Sequence, residues 1–411
     1  MDYHIATLAN GLRIIHLSSM SPVVFCGYQI AAGTRHELPG EEGLAHFCEH
    51  VTFKGTARRN ALQIINALEK VGGELNAFTN KEDTTFYAAI HRDHFPKAVD
   101  LLTDMVFHSL YPQTEIDKEI EVICDEIESY NDSPAELIYD EFENIVFEGH
   151  PLGHNILGQA EQLRTYTTED ALRFTRRYYR PDNAVFFVYG DVDFKRTVRL
   201  LGRMAMGPIS PMGPISPISP IGPSTPVNPG STIIRNKSTH QAHVIMGCRA
   251  YDIKHPRRIA LYLLNNIIGG PGMNSLLNLS LRERHGLVYT VESSMVSYSD
   301  MGLWTVYFGC DSADINKCSR LVRHQLGRLA EKPLSKSRLE AAKQQIKGQI
   351  AIACDNRENF ALDFGKSFLH HGKEKDLEKL FAKIDAVTAD DIQQVAQELF
   401  APDNLTTLIY Q

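Results

Sequence analysis

Paired cysteines, an excess of basic charge and any long apolar run are all missing from this 411-residue sequence. The seven cysteines are an odd number, widely scattered and without a C-x-x-C pair, which argues against a disulfide framework and for reduced thiols in a cytoplasmic compartment. Forty-two Lys and Arg against fifty Asp and Glu leave a net charge of -8, so there is no electrostatic footprint for nucleic acid or an anionic membrane. No eighteen-residue apolar stretch occurs, and "MDYHIATLANGLRIIHLSS" at the start has neither the basic opening nor the apolar core of a signal peptide. What is present, 43% apolar and 22% charged residues, reads as a soluble globular protein of two or three domains.

One segment stands apart in composition. Proline recurs at every third position from Pro208 to Pro229, the period of a polyproline II helix that would span roughly 65 Å. Neither a helix nor a sheet interior accepts such a pattern, so 207–230 is read as a linker between domains at 1–206 and 231–411. The flanking halves echo each other: "RPDNAVFFVYG" from Arg180 answers "APDNLTTLIYQ" from Ala401, 221 residues on. "TEDALRF" at Thr168 answers "TADDIQQ" at Thr388, and "FCGYQIA" at Phe25 answers "IMGCRAY" at Ile245, both 220 on. Matches at one offset point to a duplicated domain. Alternating apolar runs mixed with long amphipathic stretches, in no strict rotation, predict an α+β fold: two homologous domains, each a mainly antiparallel sheet flanked by helices.

Chemistry concentrates in the first half. In "GLAHFCEHVTFKGT" (residues 43–56), His46, Glu49 and His50 fall within an arc of about 100° on a helix, and the i, i+4 imidazoles can grip one ion. Glu49 beside them can reach a water on that ion without ligating it; the alternative is a solvated helical face. Cys48 points away from the histidines, into the core. A third ligand is sought in "TEIDKEIEVICDEIESY" (residues 114–130), an amphipathic helix with Ile116, Ile120, Ile123 and Ile127 on one stripe. Glu119 and Glu126, two turns apart on the shoulder of that stripe, can turn inward or merely snorkel at its edge. Glu121, Asp125 and Glu128 are read as solvated charge. The second half reads "NNIIGGPGMNS" opposite His46 and has no histidine there.

H-x-x-E-H followed by a glutamate 76 residues after His50, itself preceded seven residues earlier by another, resembles the inverted zinc motif of the pitrilysin/insulysin metallopeptidases. Within that family the chain is most similar to the shorter branch related to the mitochondrial processing peptidases. The resemblance implies one Zn2+ per chain held by His46, His50 and Glu126, with Glu49 as general base and Glu119 supporting the ligands from behind. "GGELNAFTNKEDTTFYA" (residues 72–88) resembles the family's substrate-binding edge strand, which implies that Asn76, Ala77 and Phe78 bind peptide main chain. "LRERHGLVY" carries Arg282 and Tyr289 at the spacing of the family's Arg/Tyr pair, which steadies the oxyanion and the peptide. The histidines of "FEGHPLGHNILG", His150 and His154, are left out of the metal, and His370 and His371 are read as surface residues.

The function so implied is a zinc endopeptidase cutting oligopeptides or unfolded segments, with zinc-activated water as nucleophile, inside a clamshell closed by two copies of the chain. The other reading is a non-catalytic assembly subunit of the same fold, whose expected mark is loss of the metal ligands.

Overall fold

The computed structural model describes residues 2–204, 229–237 and 239–411. The proline segment expected over 207–230 lies outside the described residues except for its last two positions.

Two compact units emerge. The first is built on a six-stranded sheet of β1 (Tyr3–Thr7), β2 (Arg13–Ser18), β3 (Val23–Ile30), β4 (Glu74–Thr79), β5 (Thr84–His91) and β6 (Ala184–Gly190), in the order β1-β2-β6-β3-β5-β4. All neighbours are antiparallel except β2 and β6. Side chains alternate between the two faces, as a pleated strand requires. Val24, Cys26, Tyr28 and Ile30 of β3 join one core with the helices Leu44–Thr52, Phe95–His108, Gln113–Asn131 and Thr168–Tyr178. Ile15, Leu17, Val185 and Phe187 face the other way, against Phe360, Phe364 and Phe368 of the helix Arg357–His371. Those three phenylalanines recur every four residues and form a single apolar ridge.

The second unit has five strands: β7 (Thr232–Arg235), β8 (Ala242–Ala250), β9 (Val288–Ser297), β10 (Gly302–Cys310) and β11 (Thr406–Tyr410), in the order β7-β11-β8-β10-β9. Here the one parallel pair is β7 with β11. Leu137, Ile138 and Phe142 of the helix Pro134–Val146 pack with Ile245, Leu303, Tyr307 and Leu408.

The orders β2-β6-β3-β5-β4 and β7-β11-β8-β10-β9 are the same topology, parallel pair included. The repeat extends to detail. Thr167 with Asp170 and Thr388 with Asp391 close matching capping boxes, and "PDN" forms a 3-10 turn at both Pro181–Asn183 and Pro402–Asn404. Both units are thus α+β, mainly antiparallel and helix-flanked.

The units do not follow a division at residue 206. The first runs to Ser129, resumes at His154 and takes in Ala353–Lys375; the second takes Tyr130–Gly153, the later described residues up to Ile352, and Asp376–Gln411. Each half of the sequence therefore lends one helix to the other half's sheet. An amphipathic pattern records that a helix has an apolar face, not which sheet it covers. All seven cysteines are free thiols, and among the described residues no helix is long and apolar enough to cross a membrane.

Candidate metal centre

The helix Leu44–Thr52 packs Leu44, Phe47, Cys48 and Val51 into the core of the first sheet. Their spacing leaves His46, Glu49 and His50 on the remaining face. His46 and Glu49 are buried, and the two imidazole rings stand 4.6 Å apart. Cys48 is fully buried, as its position on the far side of the helix predicts. The helix Gln113–Asn131 buries Ile116, Ile120 and Ile123, and Glu119 with them. Glu126, two turns on, remains 46% exposed but turns its carboxylate to the histidines. Glu121, by contrast, is a surface carboxylate paired with Arg164 at 3.3 Å.

Ligand atoms of His46, His50 and Glu126 all lie within 4.8 Å of one another, the one such group of His, Cys, Asp and Glu found among the described residues. Glu126 Oε2 is 3.4 Å from His50 Nε2 and 3.9 Å from His46 Nε2. Two ligands on a tetrahedral zinc, each bonded at ~2.0–2.1 Å, stand about 3.4 Å apart, so the triangle is of the right size. Nitrogen and carboxylate donors suit zinc, and three protein ligands leave a fourth position open. The buried Nδ1 of His46 has no hydrogen-bond partner among the described residues.

Electrostatics set the protonation of these ligands. Burial, reinforced by the neighbouring His50, lowers the pKa of His46 to about 4, so its imidazole is neutral and ready to ligate. For His50 burial pulls downward, but hydrogen bonds to Glu119 and Glu126 outweigh it and raise the value to about 9. The hydrogen bond from His50 holds Glu126 below the usual carboxylate range.

Glu119 does not join the ligand triangle. Burial opposes its ionisation, but His50 Nδ1 at 3.0 Å and Lys54 Nζ at 2.5 Å keep it ionised. Lys54 lies four residues beyond His50, a helical spacing that could have drawn attention to it. Burial raises the pKa of Glu49, partly offset by a hydrogen bond that Thr79 Oγ1 donates to its Oε2 at 2.8 Å. A carboxylate so placed is a stronger base than one in water.

Thr79 ends β4, the edge strand that carries Asn76, Ala77 and Phe78. β4 pairs with β5 on one side, so its other side is the margin of the sheet. Leu75 and Ala77 pack toward the core shared with the motif helix, Thr79 follows them in the same row, and Asn76 is exposed on the opposite face. Sequence reading passed over Thr79; its signal is parity, a polar residue ending an inward row.

Arg282 and Tyr289 belong to the second unit. Arg282 sits in the π-helical turn Asn278–Glu283 with its side chain 45% exposed, and Tyr289, near the start of β9, is 84% exposed. His150 is buried, 3.4 Å from Asp300, and His154 pairs with Glu37, so neither enters the metal group. His370 corrects the surface reading: it is half-buried and 3.1 Å from the buried carboxylate of Asp83, which Lys366 also reaches at 2.8 Å. Only His371 is exposed.

Residues 13–160 match the family model described as Insulinase (Peptidase family M16), and residues 165–346 match that of the Peptidase M16 inactive domain. The chain is 33% identical over 409 residues to the uncharacterized zinc protease YmxG of Bacillus subtilis, spanning 98% of this chain and 97% of that one. It is likewise 33% identical over 398 residues to an uncharacterized zinc protease of Streptomyces coelicolor, across 96% of this chain and 86% of the other. A crystal structure of a protease from Helicobacter pylori shares the fold with a TM-score of 0.91 at 21% identity, covering 100% and 99% of the two chains.

Proposed function

This chain belongs to the insulinase family of M16 peptidases, and we propose that it is a zinc-dependent endopeptidase acting on oligopeptides or unfolded segments. The observation that carries the reading is the convergence of His46, His50 and Glu126 from two helices to within 4.8 Å. Zinc held by His46, His50 and Glu126 would supply Lewis acidity for the scissile carbonyl and for water.

The chain's own residues do the rest. Glu49, buried and oriented by Thr79, accepts the proton of the attacking water and later returns it to the leaving amine. Glu119, anchored by Lys54, fixes the ring of His50. The free margin of β4 offers main-chain groups to which a peptide adds as a further strand, so binding depends little on substrate sequence. Asn76, Ala77 and Phe78 line that strand, and its last residue, Thr79, touches the base. Peptide held there is registered against Glu49.

Arg282 and Tyr289, both accessible, act on the oxyanion and the substrate main chain, contributed by a second copy of the chain in a homodimeric clamshell. The assembly-subunit reading requires no ligands, whereas the full set of donors is present. The test is hydrolysis of an internally quenched peptide by the purified protein: a chelator should abolish it and stoichiometric zinc restore it. Chelator-insensitive hydrolysis, or none with zinc bound, defeats the reading.

A further inference from the structure

The helix that carries the metal motif begins without a cap of its own. Gly43 occupies its N-cap in the left-handed region at φ 84° and has no side chain to accept from the first backbone N–H groups. A side chain could not stand there, because a Cβ on Gly43 would come within 2.7 Å of Gly158 Cα. The orphaned donors are satisfied from elsewhere. Glu37, just after the turn Thr34–His36, sends its carboxylate under the helix: Oε1 accepts from Ala45 N at 2.7 Å and Oε2 from Gly43 N at 3.1 Å. That carboxylate is 1% exposed.

Burial raises the pKa of Glu37, and His154 opposes that rise by adding a further donor beside the two backbone N–H groups. Its Nε2 is 2.9 Å from Glu37 Oε2 and 3.1 Å from the carbonyl oxygen of Thr34. Both neighbours are acceptors, so Nε2 carries the hydrogen. Lys81 Nζ donates to the carbonyl of His154, and the loop from His154 to Gly158 runs directly against Gly43. His154 is thus not a histidine idle in a loop.

Resting on the metal-site reading above, we propose that His154 is a positioning residue for the metal centre, acting through Glu37 on the N-terminus of the helix that carries His46, Glu49 and His50. Ala45, whose N–H binds Glu37, immediately precedes His46. Loss of the His154 donor leaves a buried carboxylate one partner short. The carboxylate then shifts towards other donors, and because it holds the N–H groups of Gly43 and Ala45, its shift carries the first turn and the imidazole of His46 with it. Metal bonds tolerate only ~0.2 Å of such error.

The test is zinc affinity of the metal-free protein, measured by competition with a chelating dye, for the wild type, His154→Leu, His154→Gln and Glu37→Gln. His154→Leu should weaken zinc binding about tenfold or more, as loss of supporting partners does in metal sites. His154→Gln should stay within about threefold, because its amide nitrogen reaches the place of Nε2 and donates as it does. Glu37→Gln should weaken binding, and adding His154→Leu to it should weaken it no further, since both act along one path. Wild-type affinity in His154→Leu overturns the proposal, as do equal losses in the Leu and Gln variants or additive losses in the double variant. Should His154→Leu fail to fold, Glu37→Gln carries the decision, and unchanged affinity there overturns it. A wild type that binds no zinc defeats the metal reading itself, which is a different result.

Discussion

Glu119 and His50 meet at 3.0 Å, Oε1 to Nδ1, and this contact turns the ring so that Nε2 faces Glu126 at 3.4 Å. Replacing Glu119 with Gln puts an amide where an ionised acceptor stood and leaves Lys54 without its partner. Zinc affinity in Glu119→Gln should fall by about 10- to 100-fold, read by competition with a chelating dye. An unchanged affinity would show that the ring needs no such hold.

Glu49 makes its hydrogen bond to Thr79 and lies outside the ligand triangle. Glu49→Gln should therefore retain zinc in full while lowering kcat by at least ~100-fold, as loss of a general base does. Zinc content by mass spectrometry and peptide turnover on the same preparation separate the two effects.

Thr79 bears on the pH profile. Burial raises the pKa of Glu49 and the Thr79 hydrogen bond lowers it, so deleting that bond raises it further. Glu49 serves as base only when ionised, so the acidic limb of kcat/KM should move to higher pH in Thr79→Val. A limb that stays in place, or moves to lower pH, contradicts the assignment of Glu49 as base.

Asp83 ties the turn between β4 and β5 to the helix Arg357–His371. Burial disfavours its charge, but His370 and Lys366 together hold its pKa well below the usual carboxylate value. A carboxylate depressed in the folded state stabilises the fold above its unfolded pKa of ~3.9 and loses that contribution as pH falls through the folded value. Asp83→Asn should cost about 2–3 kcal/mol at pH 7, less than a fully buried pair because Lys366 is half exposed. Denaturant unfolding should show the gap between wild type and variant closing below about pH 4.

Arg282 and Tyr289 test the two-chain arrangement. Mixing Glu49→Gln chains with Tyr289→Phe chains restores a complete site only if Tyr289 serves the partner's zinc. Random pairing then returns about a quarter of wild-type activity, since half the dimers each hold one intact site. No recovery in a mixture shown to exchange subunits assigns the pair to its own chain's site.

Much of this was legible in the sequence because it is local. The i, i+4 histidines, the isoleucine stripe of residues 116–127 and the repeat at 220–221 residues are periodicities, and each marks an element the structure contains. What was not legible arises from tertiary placement. The exchange of helices Pro134–Val146 and Arg357–His371 leaves no local trace, and it is why His370 looked like a surface residue rather than the partner of Asp83. Glu37 and His154 are 117 residues apart and gain meaning only where the chain brings them under Gly43. Thr79 and Lys54 fall between: their positions in a strand and beyond a helix were readable, their partners were not.

The most direct measurement is an anomalous difference map collected at the zinc absorption edge from crystals of the purified protein. One peak per chain, about 2.0–2.2 Å from His46 Nε2, His50 Nε2 and a carboxylate oxygen of Glu126, is the result the account predicts. A protein supplied with zinc that shows no peak there, or one whose ligands leave out Glu126, contradicts it.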